Sequence, residues 1–242
     1  QNLFNDSGIL FRHGFDALRN NIFKVRDFEK NFASKMGVRD ALAVSSGTAA
    51  LEVALKALGI GPGDEVITQA FTFVATVEAI VEVGAKPVIA NIDESLNISP
   101  IDLSRKITTK TKAIIAVHML GIPCDMDNIM KIATKNSIKV IEDTAWGCGG
   151  NYKGKPLGSI GDIGTFSFDF AKTITTGEGG MIIAKEDTVL EMAKAYHDHG
   201  HENNPKLPRW EDSRSSSGFN YRMTEMQGAV GLAQLKKLDQ VI

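Results

Sequence analysis

Hydrophobic and polar positions change between two patterns along the chain, which predicts strands and helices in alternation. Short runs that are mostly apolar, such as "AIIAV" and "KVI", are typical of strands buried on both faces of a parallel sheet. Between them, "DMDNIMKIATKNS", Asp27–Met36 and "TEMQGAVGLAQLKKLDQVI" place apolar residues at helical spacing. The pattern predicts an α/β fold with a mostly parallel central sheet and helices on both faces, hence three αβα layers.

Two further segments matter for function. "DIGTFSFDF" and "GGMIIAK" are predicted to be short strands on either side of the turn "AKTITTGE". Residues 202–218, "ENNPKLPRWEDSRSSSG", are polar and contain two prolines, which predicts a long loop. Loops of this length in a compact domain are often functional.

Composition and charge exclude several classes of protein. With 242 residues, 43% hydrophobic and 23% charged, the chain has the material for a large core. A net charge of −2 predicts no general affinity for nucleic acid or an anionic membrane, and no apolar run is long enough to span a bilayer. Cys124 and Cys148 form no CxxC pair, and the first residues do not resemble a signal peptide. We therefore expect a cytoplasmic protein.

Polar residues follow four of the predicted strands. Ser45–Thr48 follow "ALAV", His118 follows "IIAV", Glu142 and Asp143 follow "KVI", and Lys172 follows "FSFDF". Because ligands of open α/β sheets bind outside the carboxyl ends of the strands, we expect these groups to lie near one another.

Each cluster by itself allows two interpretations. "SSGTAAL" could bind phosphate at a helix start, or Ser46 could simply cap the helix. Asp143 could ligate a metal, cap a helix or pair with a cationic ring nitrogen, and Lys172 could be a solvated lysine or a reactive amine. Phe73 in "FTFVAT" could stack on a ligand ring or belong to the core. Together, a phosphate seat, a carboxylate and a lysine are the groups that hold pyridoxal 5′-phosphate (PLP).

A series of ordered motifs carries a resemblance to a known family. They are "AVSSGTAALEVALKALGIGPGDEVI", "FTFVATVEAI", "GAKPV", "VHMLGIPCDMDNI", "VIEDTAWGCGGNYKGKPLGSIGDIGTFSF", "KTITTGEGGMI" and "GFNYRMTEMQGAVGLAQLKKLD". From about Asp27 to its end, the chain resembles the DegT/DnrJ/EryC1/StrS family of PLP-dependent sugar aminotransferases of fold type I.

The resemblance implies roles for individual residues. Lys172 is the expected catalytic residue, forming a Schiff base with the cofactor, and Asp143 is the expected partner of its pyridine nitrogen. Asn220 in "GFNYR" matches a residue that reaches the phosphate in the neighbouring subunit's site, which implies a homodimer with composite active sites. The remaining cofactor contacts that it implies are Gly47, Thr48, Phe73 and Ser167.

One position departs from the family pattern. In "EDTAW", Trp146 stands where the family usually has Gln, near the cofactor ring and the sugar. Three roles for Trp146 are open: stacking on the cofactor ring, stacking on the substrate, or packing alone.

The resemblance also implies a reaction and a domain organisation. We expect amino transfer from an amino acid, with L-glutamate as the expected donor, to an oxo-sugar in the synthesis of amino sugars, including those of surface polysaccharides. The acceptor would be a nucleotide-linked sugar with a keto group at carbon 3 or 4, or an 8-oxo-octulosonate, which "DHGH" and "LFRHGFDALRN" favour. Residues 1–25 are the expected N-terminal arm or helix segment and 26–242 the PLP-binding large domain, with the family's small C-terminal domain outside this chain.

The sequence also offers candidate substrate contacts and two alternative functions. The candidate substrate contacts are Arg12, His118, His199 and His201, with Arg214 nearby. A PLP-binding regulator without turnover is the alternative function. A zinc site at His197, His199 and His201 is a weaker alternative, because no second cluster of ligands accompanies it, and we expect no metal.

Overall fold

The computed structural model describes residues 8–204, 206–214 and 216–242. The strands are β1 (Leu42–Val44), β2 (Glu65–Gln69), β3 (Lys86–Ala90), β4 (Thr111–Val117), β5 (Lys139–Asp143), β6 (Asn151–Tyr152), β7 (Lys155–Pro156), β8 (Ile163–Ser167) and β9 (Gly180–Ala184). The α-helices are α1 (Lys24–Met36), α2 (Gly47–Ala57), α3 (Val74–Glu82), α4 (Pro100–Lys106), α5 (Met126–Asn136), α6 (Asp187–Tyr196), α7 (Glu225–Leu235) and α8 (Leu238–Val241). Short 3₁₀ turns occupy Met119–Gly121 and Arg209–Glu211.

Seven strands form the central sheet in the order β1-β9-β8-β5-β4-β2-β3, and β6 pairs with β7 separately. Strands β3, β2, β4, β5 and β8 run parallel to one another, whereas β9 is antiparallel to both β8 and β1. The predicted mostly parallel sheet is confirmed. Residues 168–179, which join β8 to β9, contain no helix that would carry the chain over the sheet, and β9 returns antiparallel to β8.

Helices cover both faces of the sheet. Alternate residues of β4 show this, since Ile115 packs in one core with Leu55 and Ile80, and Ile114 packs in another with Leu103 and Ile129. A third cluster joins α1 to β8 through rings, including Phe32, whose centroid lies 4.9 Å from that of Phe166. The predicted three-layer αβα architecture is confirmed.

Two helices differ from the sequence-based prediction. Helix α1 begins three residues before Asp27, because the Glu225 carboxylate of α7 accepts a hydrogen bond from the Lys24 amide at 2.5 Å. The long helix predicted at the end of the sequence is divided, with α7 ending at Leu235 and α8 starting at Leu238. The first difference depends on a contact 201 residues away, which no local pattern contains.

The predicted arm and the predicted loop are irregular where they are described. Residues 8–23 contain turns and bends, and the buried Arg19 attaches them to α7 through a 2.6 Å ion pair with Glu225. Residues 1–7 of the arm, and Pro205 and Ser215 of the loop, lie outside the described residues. Among the helices of the described ranges, none combines the length and the apolar character needed to cross a membrane.

Candidate active site

A cavity of about 370 Å³ lies at the carboxyl ends of the parallel strands, beside the first turns of α2 and α3. Its walls bring together residues that are far apart in the sequence, as the strand-end pattern predicts. The sequence-predicted residues that line it are Gly47, Thr48, Phe73, Asp143, Trp146, Ser167 and Lys172.

The start of α2 forms one end of the cavity. Ser46 caps the helix, with its Oγ accepting a hydrogen bond from the Ala49 amide at 3.0 Å. The amides of Gly47 and Thr48 belong to the first turn and therefore have no acceptor within the helix. A Cβ on Gly47 would lie 2.7 Å from the Ser167 Cβ, so only glycine lets the helix start meet the end of β8 this closely. Free amides, a helix dipole and the Ser167 hydroxyl together suit a phosphate group.

Asp143, the last residue of β5, supplies the carboxylate of the cavity. It is 5% exposed, and it accepts hydrogen bonds from Thr76 Oγ1 at 2.9 Å and from the Ala145 amide at 3.1 Å. Burial raises the pKa of Asp143, although these hydrogen bonds and the charge of Lys172 oppose the change. No basic side chain within the described ranges forms an ion pair with Asp143, and a desolvated carboxylate of this kind suits a cationic ligand group.

Lys172 lies in the turn between β8 and β9 and lines the same cavity as the start of α2. Its Nζ is 3.9 Å from the centre of the Trp146 ring, and burial lowers the pKa of Lys172 against the charges of Asp169 and Asp143. A lowered pKa increases the fraction of neutral amine, which is the form that attacks carbonyl compounds.

Phe73 lies immediately before α3 and keeps 64% of its surface exposed. The core interpretation of Phe73 is therefore wrong for this chain, since a large ring is left open beside the cavity. Its face is available to stack on a flat ligand.

His118 does not contact the cavity, and its expected role with substrate is corrected. The side chain is fully buried, and Nε2 lies 2.9 Å from the Glu142 carboxylate. Because the Cys124 amide donates to Nδ1 at 3.1 Å, the ring proton lies on Nε2 and is donated to Glu142. All polar atoms of the ring are thus used inside the protein.

The predicted contact of Arg12 with substrate is wrong for the same reason, because its side chain is buried and paired inside the protein. It is 6% exposed, and it donates to Glu29 at 2.8 Å and to the Ala43 carbonyl at 2.9 Å. Both hydrogen bonds attach the N-terminal segment to the domain and point to a structural role.

The "HDHGH" segment and Asn220 also lie outside the cavity lining. His201 is 5% exposed and contacts Asp212 and Arg214, each at 3.0 Å, which leaves it no free face for substrate and corrects that expectation. His199 is exposed with a left-handed backbone, and Asn220 is exposed. His197 is buried and bonded to the Lys194 carbonyl, and within the described ranges no three His, Cys, Asp or Glu side chains are arranged to hold a metal.

Thr76 is the clearest residue that sequence reasoning missed. It donates to Asp143 and contacts Thr72 Oγ1 at 2.8 Å, so two hydroxyls one helical turn apart orient the carboxylate. The signal was available in "TFVAT", where the spacing of Thr72 and Thr76 places both hydroxyls on one face of a helix start.

Comparison with known proteins agrees with this geometry. A model of the DegT/DnrJ/EryC1/StrS aminotransferase family matches residues 17–242. The chain belongs to this family. GDP-perosamine synthase of Caulobacter vibrioides is 44% identical over 215 residues, covering 88% of this chain and 57% of the relative.

Solved structures of aminotransferases share the fold of this chain. An aminotransferase from Psychrobacter cryohalolentis has a TM-score of 0.85 and 43% identity, covering 90% of this chain and 57% of that one. A putative sugar aminotransferase from Streptococcus pneumoniae, solved in a PLP form, has a TM-score of 0.86 and 30% identity, covering 98% and 62%. The chain therefore spans less than two thirds of the length of these proteins.

Proposed function

We propose that the protein is a PLP-dependent aminotransferase that transfers an amino group from an amino acid to a keto sugar. One observation carries the proposal: a glycine-lined helix start, a buried carboxylate and a lysine of lowered pKa all open on one cavity. Membership of an aminotransferase family supports it.

The residues of the cavity fit PLP. The amides of Gly47 and Thr48 and the Ser167 hydroxyl would bind its phosphate, where a Cβ at position 47 would fill the cradle. The Asp143 carboxylate would pair with the protonated ring nitrogen, which offsets the cost of burying that carboxylate. Phe73 would stack on the ring.

When bound, PLP supplies an electron sink next to the carbon that gains or loses nitrogen. The chain supplies the other requirements. Thr76 keeps Asp143 oriented through its 2.9 Å hydrogen bond, so the carboxylate stays directed at the cavity. Lys172 Nζ, as a neutral amine, takes up a proton from the substrate carbon and returns it on the other side of the transferred nitrogen.

For the acceptor, we propose a nucleotide-linked sugar with a keto group at carbon 3 or 4, with L-glutamate as donor. The similarity to GDP-perosamine synthase supports a nucleotide-linked sugar. The "DHGH" sequence keeps an 8-oxo-octulosonate as the second acceptor to test. We further propose a cytoplasmic homodimer in which the exposed Asn220 reaches the phosphate of its partner's site.

The test is amino transfer by the full-length protein. Wild type, Lys172→Met and the matched control Lys30→Met, which changes an exposed lysine of α1, are incubated with PLP, L-glutamate and a panel of keto sugars. Mass spectrometry detects the aminated sugar. We expect Lys172→Met to lower the rate by at least about 10²–10⁴-fold and Lys30→Met to leave it unchanged.

The alternative function gives a different result. Binding of PLP to wild type without amination of any sugar in the panel would favour a PLP-binding regulator. An undiminished rate in Lys172→Met would contradict the proposed role of this amine.

A further inference from the structure

The Lys172 amine contacts the face of the Trp146 indole ring. Its Nζ lies 3.9 Å from the centre of the Trp146 ring, well within the range of a cation–π interaction. Among the described residues, none accepts a hydrogen bond from this nitrogen. Trp146 is 38% exposed and lines the same cavity, so the ring is neither core packing nor a surface residue away from the site.

The turn that carries Trp146 is held from both sides. The Ala145 amide donates to Asp143 at 3.1 Å, and the Gly147 amide donates to the Thr144 carbonyl at 3.1 Å. A Cβ on Gly147 would lie 3.1 Å from Leu157 Cδ1, which shows how closely the turn packs on the domain. The backbone that carries the indole is therefore held in place, and the long side chain of Lys172 has the greater freedom to move.

The charged groups around Lys172 do not replace this contact. The other titratable side chains of the cavity are Asp143, Asp169 and Glu178. Asp143 already accepts hydrogen bonds from Thr76 and Ala145, and Asp169 accepts one from the Ala171 amide at 3.2 Å. The charges of Asp143 and Asp169 favour the ammonium form, but they act across space and do not fix where Nζ lies.

We propose that Trp146 is a positioning residue whose indole face is the resting place of the Lys172 ammonium while that amine is not covalently engaged. The inference rests on the proposed aminotransferase function. In amino transfer a substrate amine would replace the lysine amine on the carbon to which both can bond, and the released neutral amine would become an ammonium by taking up the proton of the substrate carbon. The Lys172 ammonium then has to move away from the substrate and later return. The indole binds it at a position from which a change in the Lys172 side-chain conformation brings it back.

The first test uses protein freed of cofactor, so that it does not depend on turnover. The sequence contains two tryptophans, and Trp210 is 85% exposed and outside the cavity. Trp210→Phe therefore leaves Trp146 as the tryptophan reporter of this chain. We expect its fluorescence to change with pH as Lys172 loses its proton, and we expect Lys172→Met in the same background to abolish that change.

The second test measures the amine itself. The pH dependence of amine labelling at Lys172, followed by peptide mass spectrometry, gives its pKa in wild type, Trp146→Leu and Trp146→Phe. Leucine keeps apolar bulk but removes the π face that stabilises the cation, so we expect the pKa to fall by roughly half a unit to one unit. We expect a smaller fall for Trp146→Phe, which keeps a weaker face, and none for Trp210→Phe.

The third test separates positioning from binding in the holoenzyme. We expect Trp146→Leu to lower kcat about tenfold while the KM for the amino donor changes less than about twofold. An unchanged or raised Lys172 pKa in Trp146→Leu, or a pH-dependent Trp146 signal that survives Lys172→Met, would overturn the inference. If Trp146→Leu does not fold, Trp146→Phe and the fluorescence test decide alone.

The two proposals fail in different ways. If the fluorescence and labelling tests show the contact between Lys172 and Trp146 but no sugar is aminated, the role proposed for Trp146 is supported and the aminotransferase function is contradicted. Amination of a sugar by a protein whose Lys172 pKa is the same with and without the Trp146 ring would support the aminotransferase function and contradict the role proposed for Trp146.

Discussion

Glu142 and Asp143 are neighbouring carboxylates at the end of β5, yet they occupy very different surroundings. Successive strand residues point to opposite faces of a sheet, so the two side chains separate. Glu142 is fully buried and accepts hydrogen bonds from His118 at 2.9 Å and from the amides of Gly158, Ile160 and Gly161. Asp143 accepts two and opens on the cavity.

This difference separates structural from functional burial. Burial opposes ionisation of Glu142, but the hydrogen bonds that it accepts from His118 and from the amides of Gly161 and Gly158 outweigh burial and lower its pKa. For Asp143 burial outweighs its partners and raises the pKa. A buried carboxylate that is fully paired stabilises the fold, whereas one left short of partners is prepared for a ligand.

Removal of the paired carboxylate should have the largest effect. Glu142→Ala leaves the ring nitrogen of His118 and three amides without their acceptor in the interior. We expect the free energy of unfolding to fall by about 3–5 kcal/mol, measured by urea denaturation. A loss under about 1 kcal/mol would show that Glu142 contributes little to the fold.

Removal of the charge at Asp143 should affect activity and spare stability. In Asp143→Asn the amide oxygen can still accept from Ala145, and the Thr76 hydroxyl can donate to Thr72 instead. We expect amino transfer to fall by roughly 10²-fold or more, while the free energy of unfolding changes by no more than about 1 kcal/mol. Equal losses of activity and stability would contradict the comparison.

The pH dependence of stability should have opposite signs at the two positions. The lowered pKa of Glu142 stabilises the fold above the ordinary value of 4.5, and this contribution is lost as the pH falls through the lower folded-state pKa. The raised pKa of Asp143 contributes stability below 3.8, which is lost as the pH rises through the folded-state pKa. Denaturation curves at several pH values should show Glu142→Ala approaching wild type in acid, and Asp143→Asn gaining on wild type above that range.

A combined effect on stability and on cofactor binding is expected at the helix start. Gly47→Ala would place a Cβ 2.7 Å from the Ser167 Cβ, so we expect stability to fall by about 1–3 kcal/mol and the affinity for PLP to fall with it. Gly61→Ala is the matched control, because the nearest atom to its Cβ is 3.7 Å away. Thermal unfolding and equilibrium binding of PLP measure the two effects. Equal stability and equal PLP affinity in Gly47→Ala and Gly61→Ala would contradict the close packing of Gly47 on Ser167.

Sequence reasoning found the cavity because its residues follow strands, a feature carried by local pattern. Gly47, Asp143, Ser167 and Lys172 each lie at a predicted strand or helix end, and parallel strands bring such ends to one edge. It misplaced Arg12, His118 and His201 because residue type and neighbouring motif do not reveal how many partners a side chain finds inside the protein.

The alternation of apolar runs and helical segments, with polar residues after the strands, was enough to determine the layered α/β fold and the edge where the site forms. Burial of both faces of a parallel sheet imposes that pattern on the sequence itself. Tertiary structure alone decided which face each neighbouring carboxylate takes up and which of them finds partners. It also decided that Lys172 meets the Trp146 ring, 26 positions away in the sequence, because such contacts depend on how distant turns pack.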